Sequence, residues 1–70
     1  MNDAEILKQA FSEMMEGRIA DARSTLQKST TPSVQEFAKR CVGDTSTNFD
    51  QIYALREDIK SYGRRTGIRI

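Results

Sequence analysis

The chain has 70 residues, of which 37% are hydrophobic and 30% charged, and its net charge is +1. That composition describes one small globular domain with no overall electrostatic pull toward nucleic acid or a membrane. A single cysteine, Cys41, and the absence of histidine exclude an internal disulfide, a structural zinc site and the commonest general base.

The first element opens at Asn2, which can cap free amides while Glu5, three residues on, reaches back. Ala4, Leu7, Phe11 and Met14 follow at a 3–4 spacing, one helical stripe that Ile6, Ala10 and Met15 widen. Gly17 interrupts. Beyond it Met15, Ile19, Ala22 and Leu26 form a stripe one residue out of phase with the first, a rotation of about 100°. The reading is a helix over 2–16, a bend at Gly17 and a helix over 18–29.

Thr31 and Pro32 mark the next start. Proline at the first helical position gives up an amide that would be unpaired anyway, and it pushes the preceding residue toward extended geometry. From Val34 the positions 34, 38, 41, 45, 48, 52, 55, 59 and 62 keep a strict 4–3 spacing, and the phase survives Gly43 without a slip. That spacing predicts one long helix over 32–62, roughly 45 Å at 1.5 Å per residue. The alternative is a break at Gly43–Ser46, with Asp44 or Thr45 capping a further helix.

After Tyr62 the chain changes character. Gly63 reads as a helix stop, and Lys60, Arg64, Arg65 and Arg69 concentrate positive charge there. The domain is therefore divided into a helical body, 1–62, and a basic tail, 63–70. The expected fold is all-α: a helical hairpin bent at Gly17, whose turn at Thr30–Thr31 puts Gly17 and Gly43 at one level, either as a tight crossing or by coincidence. Two helices bury only one stripe each, so a domain this small needs further cover. The expected solution is a homodimer, two hairpins forming a four-helix bundle. Its core and dimer residues are Leu7, Phe11, Met14, Ile19, Leu26, Val34, Phe37, Cys41, Phe49, Ile52, Leu55 and Ile59.

The stretch Thr30–Asp44, with Pro32, Val34, Phe37, Ala38, Val42 and Asp44 at the spacing of a recurring motif, resembles a family of bacterial ferritin-like helical domains of uncharacterised function. Cys41 stands where that family has methionine, and Thr45 where it has histidine. The resemblance covers roughly residues 16–56 and implies a helical hairpin. It does not imply di-iron chemistry, because the Glu-x-x-His motifs of such bundles are missing here.

Cys41 falls on the apolar stripe between Ala38 and Thr45, the setting of an inert thiol rather than a nucleophile. The carboxylates fall mainly on polar helix faces and suggest no metal site, so neither catalysis nor a cofactor is expected. Thr45 and Asn48 are polar positions on the inner stripe; they either fix register or oligomer state, or mark where the core ends and water enters, a polar gap with room for a partner. Met14 and Met15 with Phe11 offer soft apolar surface, read first as core. The functional expectation is a cytoplasmic, non-enzymatic module that binds and modulates another protein as regulator, chaperone or inhibitor. Its candidate contact residues are Tyr62, Arg64, Arg65, Arg69, Thr45 and Asn48. The alternative is a hairpin dimer that binds nucleic acid through the basic C-terminal segment. No apolar run approaches the roughly 20 residues needed to span a bilayer.

Overall fold

The computed structural model describes residues 2–44 and 46–70. Among them are four helices: α1 (Asp3–Met15), α2 (Ile19–Leu26), α3 (Pro32–Arg40) and α4 (Phe49–Thr66). The all-α class holds. The long helix over 32–62 does not: it is two helices joined by an exposed link. The molecule measures 31 × 20 × 19 Å, too short for a straight 45 Å rod. α1 packs on α2 and α4, and α3 packs on α2 and α4, so the last helix closes the structure.

The break follows from local chemistry. Gly43 has φ +70°, a left-handed value that favours glycine. Asp44 Oδ1 then accepts hydrogen bonds from Ser46 Oγ at 2.7 Å, Thr47 N–H at 2.9 Å and Thr47 Oγ1 at 3.0 Å. Asn48 Nδ2 donates to the Val42 carbonyl at 2.9 Å, bridging the link from end to end. Short polar side chains that can satisfy the backbone outside a helix compete with helix formation, and five of them follow Gly43 in a row.

Local signals elsewhere are realised in part. Asn2 accepts the Glu5 amide at 2.9 Å and caps α1, and Pro32 occupies the start of α3. Thr31 makes no side-chain cap; its hydroxyl donates to Asp3 Oδ2 at 2.5 Å, while Ser29 Oγ donates to Asp3 Oδ1 at 2.7 Å. The first turn of α1 is thereby tied to the α2–α3 link. Gly17 and Gly43 both have positive φ in turns; they reverse the chain and do not form a tight helix crossing.

The core is complete within one chain. Ile6, Leu7, Ala10, Met14, Ile19, Ala22, Leu26, Val34, Ala38, Cys41, Ile52, Leu55 and Ile59 are buried, with Phe11, Phe37, Tyr62 and Ile68 packed against them. Phe49, expected in that core, is 58% exposed, and Met15 is exposed beside buried Met14. Much of the apolar seam expected to need a second copy is covered within the chain, where α4 folds back on α1 and α3. Glu13, which the sequence places on a polar face, is buried, and its carboxylate accepts Thr25 Oγ1 at 2.6 Å.

α4 continues four residues past Tyr62. Gly63 is a buried position inside it, and the stop is Gly67, at φ +78°. The Ile68 amide then donates back to the Gly63 carbonyl at 2.8 Å, the capping pattern that commonly follows a left-handed glycine. Residues 68–70 therefore lie back over the last turns of α4. Among the described residues no helix is long and apolar enough to cross a membrane.

Candidate interaction surface on the last helix

Phe49, Tyr53, Arg56, Lys60 and Arg64 recur on α4 at spacings of 3 and 4, which places them along one flank, beside the buried stripe of Ile52, Leu55 and Ile59. Contacts follow this order. The Phe49 and Tyr53 rings stack at 6.3 Å between centroids. The Arg56 guanidinium lies over the Tyr53 ring at 5.3 Å. Lys60 sits over Phe11 at 5.6 Å and pairs with Glu57 at 3.5 Å. The flank thus begins aromatic and ends basic, over about 22 Å at the helical rise.

At its basic end the flank meets the returning C-terminal segment. A cleft of about 540 Å³ opens there, with Gly63, Ile68 and Ile70 as its apolar lining and Lys60, Arg64 and Arg69 around it. Gly63 makes the close approach possible. A Cβ at this position would stand 2.8 Å from the Ile68 carbonyl oxygen and 2.8 Å from Ile70 Cδ1. Among the described residues, Arg64, Arg65 and Arg69 form no ion pair, a state they share with Lys8, Arg23, Lys28 and Arg56, whereas Arg18, Lys39, Arg40 and Lys60 are paired; what sets the C-terminal three apart is that they lie within six residues of one another.

The six candidate contact residues separate. Arg64 and Arg69 share the cleft. Arg65 lies over Tyr62 at 5.8 Å, and Tyr62 meets Phe37 edge-on at 5.6 Å, a stack on the other flank of α4. Asn48 is at the far end of the helix, bridging the link. Thr45 lies outside the described residues. Sequence reasoning missed the Phe49–Tyr53 pair by assigning Phe49 to the core, and it missed Lys60 as a cleft residue. The i, i+4 spacing of two aromatics off the main stripe was the available signal.

Cys41 offers no reactive thiol. It is 2% exposed, and burial pushes its pKa up from 9.0 to about 11 despite nearby Arg23 and Arg40. No group of three or more histidine, cysteine or carboxylate side chains that could hold a metal ion occurs among the described residues. Hydrogen bonds from Thr31 and Ser29 hold the Asp3 carboxyl below its usual range. Asp44 is lowered in the same way by Ser46 and Thr47. Both carboxylates serve the fold.

No protein-family model, no curated protein and no solved structure matches the chain.

Proposed function

We propose that the chain is a small non-enzymatic interaction module that binds and modulates another protein through the aromatic and basic flank of α4. The observation that carries this reading is the Phe49–Tyr53 stack. Two large rings, 58% and 49% exposed, are left in solvent by a chain whose core is otherwise closed, and they continue into a row of cations. Aromatic residues and arginine are the side chains most enriched at protein-binding hot spots. The reading needs no second copy of the chain.

The test is paired affinity capture from the native host, with the parent chain and a Phe49→Ser/Tyr53→Ser variant. Both rings are exposed, so the variant should keep the parent's helicity and melting temperature. A partner identified by mass spectrometry, retained by the parent and lost with the variant, is the expected result. Identical captured sets from two equally folded proteins would refute the proposal.

The unpaired Arg64, Arg65 and Arg69 favour a second reading, a surface for nucleic-acid phosphates. It requires binding that falls steeply with salt and is lost when residues 63–70, which carry all three arginines, are removed. Two features weigh against it: Asp50 and Glu57 flank the same surface, and Ile68 and Ile70 line the cleft.

A further inference from the structure

We infer that the cleft between the last turns of α4 and residues 68–70 takes an acidic peptide segment that carries an apolar side chain. The inference rests on the protein-binding reading and names the chemistry of the partner at one end of the same flank.

Three features select that occupant. The lining is apolar, formed by Gly63, Ile68 and Ile70. An aliphatic side chain laid there gains burial, whereas a phosphodiester gains nothing. Around the lining stand Arg64 and Arg69, neither engaged by a carboxylate among the described residues, and Lys60, which shares its charge with Glu57 at 3.5 Å. Guanidinium groups match carboxylates as paired donors and are less strongly hydrated than ammonium groups, so they suit this contact better than lysine does. The cleft volume of about 540 Å³ lies within the range of sites that enclose a small ligand, enough for one anchoring side chain and its acidic neighbours rather than for a whole helix.

The cleft is also built, not incidental. It exists because Gly63 lacks a side chain, because Gly67 adopts φ +78° and turns the chain, and because the Ile68 amide bonds back to the Gly63 carbonyl at 2.8 Å. Those three local features bring Arg69 into the lining of the same cleft as Lys60 and Arg64.

The test is a titration of the ¹⁵N-labelled chain, followed by amide chemical shifts, with an end-blocked hexapeptide Asp-Glu-Leu-Asp-Glu-Leu. Two control peptides replace either the acids by Asn and Gln or the leucines by glycine. Saturable shifts at Gly63, Gly67 and Ile68 are expected. Binding should weaken at least fivefold with either control peptide, and at least fivefold in the Arg64→Gln/Arg69→Gln variant, whose changes lie on exposed positions. Three results would overturn the inference: no shifts at millimolar peptide, equal binding of the acid-free peptide, or shifts confined to Phe49 and Tyr53. The last would leave the α4 flank standing as a protein-binding surface while removing the cleft from it. Tighter binding of an oligothymidylate than of the peptide at the same residues would overturn both.

Discussion

Gly63→Ala tests how the C-terminal segment is held. The added methyl group meets the Ile68 carbonyl oxygen at 2.8 Å, and that oxygen is backbone, so residues 68–70 must lift. Lifting them exposes Ile68, now half-buried, and the covered part of Ile70. At about 1.5–3 kcal/mol for a fully buried isoleucine, the two together lose about 2–3 kcal/mol. The lost hydrogen bond from the Ile68 amide to the Gly63 carbonyl costs about 1 kcal/mol more, and the three freed residues regain backbone entropy of about 1 kcal/mol each, which offsets most of the combined loss. Alanine inside a helix adds about 1 kcal/mol over glycine. The net change is within about 1 kcal/mol of zero, so thermal unfolding followed by circular dichroism should move by less than about 8 °C. Hydrogen exchange at the Ile68 amide should nonetheless lose its protection. An Ile68 amide as protected as in the parent, in a protein stabilised by the full helix gain, would refute the described packing. A loss above about 3 kcal/mol would refute it from the other side, by showing that the segment supports the core.

Leu55→Ala removes a side chain with no exposed surface at the centre of α4. The loss should be about 2–5 kcal/mol, comparable with the whole stability of a core this small, and urea unfolding should show little or no native baseline. Asp3→Asn should cost about 1–3 kcal/mol near neutral pH, because it removes the charged acceptor of the Ser29 and Thr31 hydroxyls. The Asp3 carboxyl is lowered in the folded state. Its contribution is therefore present above its unfolded value and is lost as pH falls through the folded one. Stability measured from about pH 5 down to pH 2 should fall less steeply in the variant than in the parent. At about pH 8 the Cys41 thiol, raised from 9.0 to about 11, holds about a hundredfold fewer thiolates than an ordinary cysteine. A thiol-reactive disulfide reagent should modify native protein at least that much more slowly than urea-unfolded protein; equal rates would contradict its burial.

Where the fold was legible, the signal was local. Asn2 and Glu5 mark the start of α1, Pro32 that of α3, and the two 3–4 stripes, one through Leu7 and Met14 and the other through Ile19, Ala22 and Leu26, identify buried positions. The long helix failed for an instructive reason. Val34, Ala38 and Cys41 on one side of the link, and Ile52, Leu55 and Ile59 on the other, are all buried. The stripe is real, but two helices supply it, each turned toward the same core. From Cys41 to Ile52 is eleven residues, close to three whole turns, so the register matches across a non-helical link. The two polar members of the stripe, Thr45 and Asn48, were the warning, together with the run of poor helix formers after Gly43. The exposed rings of Phe49 and Tyr53 follow from that break, since α4 starts at Phe49 and its buried stripe begins only at Ile52. The cleft was illegible for a different cause: it depends on Ile68 and Ile70 returning over Gly63, a contact that periodicity does not encode.

The link between Arg40 and Phe49 joins two halves that share one interior. Its residues Val42, Gly43, Asp44, Ser46 and Thr47 are exposed, and among the described residues no core side chain after Cys41 precedes Ile52. A chain cut at this point would yield a three-helix fragment with an open apolar trough and a single-helix fragment with the matching ridge. Mixed together, the two should reconstitute in a concentration-dependent manner, as a split reporter does, with the grip of the smaller piece set by Ile52, Leu55 and Ile59.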